Sequence, residues 1–201
     1  YTKLLYRPIF IGILIIFMVV APMGMAYIMY QTGWGVSSNT TNKGLLLNPP
    51  LPIQELILSQ DDTLLTALFS DTQASKKWRL LVPVTSRCAD ICQKNLYTTR
   101  QVHIRLAEKA YRVERIILSL DELPVTLNEQ LDKEHPNTLR PQMSSTDFSQ
   151  WVAPANIEGA VEDYYYLVDQ EGYMMMRYDV SHTGQDLLDD IKKLLKFTYD
   201  K

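Results

Sequence analysis

Two residue types are scarce in this chain of 201 residues: it carries two cysteines, Cys88 and Cys92, and three histidines, His103, His135 and His182. All thiol chemistry therefore rests on one pair. Charge is missing altogether from the 22 residues between Ile9 and Tyr30. As a helix rising about 1.5 Å per residue, such a run crosses a hydrocarbon core of about 30 Å. Basic residues are missing again between the end of that run and Lys43, whereas Lys3 and Arg7 precede it. The positive-inside bias then leaves residues 1–8 in the cytoplasm and everything after Tyr30 outside. A basic stripe is also lacking, which excludes ordinary nucleic-acid binding, and the net charge of −3 points to no class of partner.

What is present sorts into segments. Residues 9–30 read as a transmembrane helix that Pro22 kinks without forbidding. The alternative is a cleaved signal peptide, with Gly24-Met25-Ala26 as a small-x-small site, but the apolar run is longer than a usual signal core, which favours a retained anchor. Tyr27, Tyr30 and Trp34 form an aromatic cluster at its outer end. Residues 31–55 shift to Gly, Ser, Asn, Thr and Pro and read as a tether, stiffened by Asn48-Pro49-Pro50-Leu51-Pro52. Asn39-Thr40-Thr41 matches a glycosylation sequon that matters only in a eukaryotic secretory route. Residues 56–201 form the folded domain, with Ile53 to Leu68 as an irregular lead-in or short edge strand.

Within that domain Trp78 to Val84 is nearly all apolar, as a central strand requires, and Pro83 lacks the amide that ladder pairing needs. Asn95 to Ala110 reads as a helix. On it Cys88, Cys92, Leu96, His103, Leu106, Ala107 and Ala110 fall within about 60° of one stripe, so the thiols sit where a strand hands over to a helix. A helix N-terminus stabilises a thiolate, and the pair can cycle between dithiol and disulfide or bind a soft metal. The bland alternative is a static disulfide or two buried small residues; closing so short a loop restrains the unfolded chain by about 2 kcal/mol or less. Val113 to Leu120 reads as a second buried strand, parallel to the first through a right-handed crossover. The segment Asp121 to Ala160 holds a helix near Leu123 to Lys133 and then a Pro-rich excursion, either functional or a contact surface.

Tyr164 to Asp169 and Tyr173 to Tyr178 form a β-hairpin around Gln170-Glu171-Gly172. Alternation sends Met174 and Met176 to one face and Met175 to the other, which favours core packing over a thioether metal site. Tyr164 to Tyr166 likewise read as packing. A last helix opens on a capping box at Thr183-Gly184-Gln185-Asp186 and buries Leu187, Leu188, Ile191, Leu194 and Leu195. His103 lies about 16 Å along its helix from Cys92 at 1.5 Å per residue, too far to share a metal with the thiols. His182 shows no ligand spacing, and His135 is a substitute ligand only if the excursion folds back. The element order is that of an α/β, thioredoxin-like domain with one N-terminal transmembrane helix.

With its thiols at that turn, the domain resembles the Sco (SenC) group of thioredoxin-like proteins, whose usual motif is Thr-x-Cys-Pro-Asp-(Val/Ile)-Cys-Pro. Cys88, Asp90, Ile91 and Cys92 match; Thr85 stands one residue further out, and Ala89 and Gln93 replace the prolines. Tyr166 to Gly172 also resembles that family's Tyr-Leu-Ile-Asp-Pro-Asp-Gly. A narrower likeness takes in Pro22, Trp34, Thr41 to Leu46, Pro49-Pro50 and Leu96 to His103, and is to small membrane-anchored Sco-like proteins encoded among bacterial oxidase assembly genes. The resemblance implies a bacterial inner-membrane protein, its domain periplasmic, that assists cytochrome c oxidase biogenesis by thiol-disulfide exchange or transient Cu(I) binding at Cys88 and Cys92. Its implied partners are oxidase subunits or assembly factors. The alternative is a non-catalytic accessory subunit docked on a terminal oxidase or respiratory supercomplex. Copper-carrying members take a third ligand from a histidine; here Val161 aligns with it, so the two thiolates would hold Cu(I) more weakly. In exchange Cys88, expected to be the more exposed sulfur, attacks and Cys92 resolves.

Overall fold

The computed structural model describes residues 2–32, 41–53 and 76–197, in two units, Tyr1–Thr41 and Asn42–Lys201. Expectations for Trp34, for Asn39 and Thr40, and for residues 54–68 lie outside the described residues. The first unit carries α1 (Thr2–Thr32), which runs unbroken through Pro22. Its part Phe10–Thr32 has a mean hydropathy of 2.4 and buries nothing against the protein, so it is long and apolar enough to cross a membrane.

The second unit holds a five-stranded sheet in the order β1-β5-β4-β2-β3. Its strands are β1 (Leu45–Pro52), β2 (Trp78–Val84), β3 (Val113–Ser119), β4 (Tyr165–Val168) and β5 (Tyr173–Tyr178). The helices are α2 (Asp90–Arg105), α3 (Val125–Glu134), α4 (Ser145–Val152) and α5 (Gly184–Phe197). β2 lies second from one edge and every residue in it is buried, because both sheet faces are covered. Leu80, Val82 and Val84 face Leu96 and Val102 of α2, Leu127 and Leu131 of α3, and Leu187, Leu188, Ile191 and Leu195 of α5. Leu81 faces the other side, with Ile116, Phe148, Val152 and Tyr166. Burying each such aliphatic side chain is worth about 1.5–3 kcal/mol.

The crossover β2-α2-β3 is parallel in register from Trp78 opposite Val113 to Val84 opposite Ser119. Pro83 ends only one ladder: pairing with β4 stops at Leu81 opposite Tyr166, while pairing with β3 continues through Pro83. α2 starts five residues before the expected Asn95, so Cys92 lies in its first turn and Cys88 precedes it. A 3-10 helix, Ala107–Arg112, replaces the expected last turn.

Three segments differ from their sequence patterns, each through a tertiary partner. Leu45–Pro52, read as a spacer for its prolines, is the edge strand β1, paired with β5 at Leu45-Leu46 and Leu51-Pro52 with an irregularity between. The excursion after Asp121 is anchored to the sheet rather than loose. It packs α4 on the second face and runs Leu139 to Met143 along β3, where Ile117 N–H donates to Leu139 (2.9 Å), Ser119 N–H to Pro141 (3.0 Å) and Met143 N–H to Ser119 (2.8 Å). In β5 a bulge separates the methionines: Leu167 opposes Met176 but Val168 opposes Met174. Met174 therefore packs with Ile116 and Phe148, whereas Met175 and Met176 pack on the α2 side. The packing reading of the methionines stands; the face expected for Met174 does not.

Asp190 of α5 joins the first residues of this unit to its last helix. Its buried carboxylate accepts from Lys43 N–H (2.8 Å), Gly44 N–H (2.9 Å) and Tyr178 O–H (3.1 Å). Burial, with that carboxylate beside it, holds the Tyr178 hydroxyl far above its ordinary pKa. Tyr178 also stacks on Tyr165, centroids 5.2 Å apart, and His182 meets its edge with its ring nitrogens 2.9 Å from Asp179 Oδ1 and 3.1 Å from the Lys43 carbonyl oxygen.

Candidate functional site

The end of β2 presents the cysteines. After Val84 the chain turns, with Cys88 N–H donating to the Thr85 carbonyl (3.1 Å), and α2 begins at Asp90. Cys88 and Cys92 are joined as a disulfide, their Cα atoms 5.1 Å apart. Gln93, where the Sco motif has proline, donates its backbone N–H to Ala89 (3.0 Å) and its side-chain amide to Cys88 Sγ (3.5 Å). Gln130 of α3 in turn donates to Gln93 Oε1 (3.1 Å). A proline could provide neither bond.

The expected difference in exposure between the sulfurs is not found: Cys88 is 7% and Cys92 8% exposed. Cys92 is the one that lines a cleft of about 640 Å³, together with Pro83, Thr85, Arg87, Asp90 and Asp121 on one side and Ser145, Glu162 and Asp163 on the other. Four carboxylates thus face one guanidinium around the disulfide. Asp121 accepts from Ser86 N–H (3.4 Å), which holds the turn.

Val161 lies in a 3-10 turn, Val161–Asp163, that brings its two successors into the cleft. The Val161 carbonyl accepts from Tyr166 O–H (2.8 Å), and the buried Asn95 of α2 donates to the Asp163 carbonyl (3.0 Å). The segment that aligns with the copper ligand is therefore beside the disulfide, but it offers carboxylate oxygens. Among the described residues no group of three His, Cys, Asp or Glu could hold a metal. Soft Cu(I) prefers thiolate, thioether or imidazole, so this donor set does not fit a three-ligand copper centre.

The histidines serve elsewhere. His103 bonds to the Val113 carbonyl (2.8 Å) and ties α2 to β3. His135, the proposed substitute ligand, is buried beyond the other end of the sheet, with Nδ1 accepting from Arg115 (3.1 Å). Burial first, then Arg115 and Arg100, pull its pKa down to about 4, so it is neutral. Asn95, Gln130, Glu162 and Asp163 carried no signal in the sequence, since each reaches the site only through tertiary packing. Gln93 did stand out, as a departure from a proline.

Residues 78–198 match the family described as transmembrane-like, thioredoxin-like, C-terminal domain. Among solved structures the fold is similar to yeast Sco1, at 17% identity and TM-score 0.52 over 68% of this chain and 86% of that one. It is similar to copper-bound yeast Sco1 at 19% identity and TM-score 0.50, covering 61% and 80%. A disulfide-switch protein, BsSco, described as a member of the Sco family of cytochrome c oxidase assembly proteins, aligns at 16% identity and TM-score 0.46 over 62% and 84%. At these identities the shared property is the thioredoxin-like fold. No curated protein matches the sequence.

Proposed function

Because the chain belongs to the family of transmembrane-like, thioredoxin-like C-terminal domains, we propose that it exchanges disulfides through Cys88 and Cys92 at a membrane surface, in support of cytochrome c oxidase biogenesis. The observation that carries this reading is the bonded pair at the mouth of a central strand, with Cys92 on an open cleft. The oxidase context comes from the motif residues Cys88, Asp90, Ile91 and Cys92 and the Tyr166 to Gly172 hairpin. Lys3 and Arg7 ahead of the apolar span Phe10–Thr32 support an N-terminus in the bacterial cytoplasm and a domain in the periplasm.

In the forward step a client thiolate attacks Cys92 Sγ along the cleft. The Cys88–Cys92 bond breaks, and Cys88 leaves as a thiolate that the Gln93 amide solvates before it takes a proton from water. A second client thiolate then attacks the client sulfur, releasing Cys92. The client loses two electrons and the pair gains them. In the opposite direction Cys92 attacks a client disulfide and Cys88 resolves. With no third soft donor at Val161, no step passes through copper.

A Cys88→Ser chain should accumulate a mixed disulfide at Cys92, visible as a client-sized shift on non-reducing gels. Failure of both single serine variants to trap any partner, with normal oxidase content in the double variant, would sink the exchange reading. The low exposure of both cysteine residues favours a second reading, a non-catalytic accessory subunit of the oxidase. Co-purification with mature oxidase at fixed stoichiometry supports it, and release once assembly is complete counts against it.

A further inference from the structure

A second concavity lies beyond the opposite end of the β2-β3 pair from the cysteines. It holds about 410 Å³ and is lined by Lys77 ahead of β2, Arg100 and His103 of α2, Arg115 of β3, Glu134 at the end of α3, and His135. Arg115 is the unusual member. It is 8% exposed, and its Nη2 donates only to neutral acceptors: His135 Nδ1 (3.1 Å), the Leu96 carbonyl (3.4 Å) and Thr99 Oγ1 (3.4 Å). Its buried Nε has no acceptor. No carboxylate pairs with it among the described residues; Glu114, next to it in β3, is held by Arg79 (3.2 Å) and Lys77 (3.8 Å). A guanidinium removed from water without a counter-charge is costly, and here Arg100 adds a like charge beside it. That neighbour, after burial itself, pulls Arg115 down to about 10.

We propose that this concavity binds a phosphate oxyanion, clamped between the guanidinium groups of Arg115 and Arg100. A tetrahedral oxyanion supplies the counter-charge that both arginines lack, and the planar fork of arginine matches phosphate oxygens in pairs. The neutral His135 keeps Arg115 aimed, because its Nδ1 takes one of the guanidinium hydrogens. The site is independent of disulfide exchange and would persist were that reading wrong. Free phosphate and the phosphodiester of a lipid headgroup share this chemistry.

The full chain in neutral detergent is titrated calorimetrically with inorganic phosphate, and separately with glycerophosphoglycerol, the water-soluble headgroup of an anionic lipid, both at constant ionic strength against chloride. One saturable site is expected for at least one probe; the probe that binds tighter identifies the source. Arg100→Gln, at a half-buried side chain with no hydrogen bond of its own among the described residues, should weaken that binding about tenfold or more while the circular dichroism spectrum stays unchanged. Arg115→Gln, if folded, should abolish it. Absence of saturable binding with both probes, or equal binding by the wild type and Arg100→Gln, would overturn the proposal.

Discussion

His135 carries a pH signature that a single substitution can isolate. Its ordinary value of 6.5 falls to about 4 in the fold, through burial first and then Arg115 and Arg100, with Glu134 opposing. The folded chain keeps the ring neutral where the unfolded chain protonates it, so its stabilising contribution is full above pH 6.5 and is lost as the pH falls toward 4. Urea midpoints at pH 7 and pH 4.5 should differ less for His135→Gln than for the wild type; equal differences would exclude His135 as the titrating group. At this scale the two cysteines were legible, because a pair four positions apart in sequence at a strand-to-helix handover is a local pattern. Glu162 and Asp163 were not, since what puts them beside Cys92 is the bond from Asn95 to the Asp163 carbonyl across 68 positions. The same holds for Arg115, an ordinary strand residue in sequence whose missing counter-charge exists only in three dimensions.

Among the elements, α5 shows how far local rules reach. Thr183 N–H donates to Asp186 Oδ2 (2.8 Å), Asp186 N–H donates back to Thr183 Oγ1 (3.2 Å), and these bonds hold the Asp186 carboxyl below its ordinary pKa. This reciprocal cap is what the spacing from Thr183 to Asp186 implied. Thr183→Ala should cost about 1 kcal/mol, read as a lowered urea midpoint at unchanged slope. Strands obey less local rules. The alternation of Met174, Met175 and Met176 failed because a bulge at β4-β5 inserts a residue, and a bulge is set by the partner strand. β1 was hidden for the same reason: its prolines suit a spacer, and only β5, more than a hundred residues later, makes it a strand.

For the domain as a whole, the Asp190 carboxylate makes the segment around Gly44 part of the folded unit. A Cβ at Gly44 would sit 2.5 Å from the Tyr178 ring, which cannot yield while Asp190 holds its hydroxyl and Tyr165 stacks on its face. Gly44→Ala should therefore lower stability by about 1–3 kcal/mol, measured by thermal unfolding; a midpoint within error of the wild type would show that the ring moves freely. The sheet these contacts complete ends in β1 on one side and β3 on the other. Pro49, Pro50 and Pro52 remove amide donors from β1, and Leu139 to Met143 already occupy the hydrogen-bonding groups of β3. Neither border offers a bare ladder on which a foreign strand could grow. Copies of the domain are thus kept from stitching edge to edge into fibres, and a partner must meet it through side chains rather than by joining its sheet.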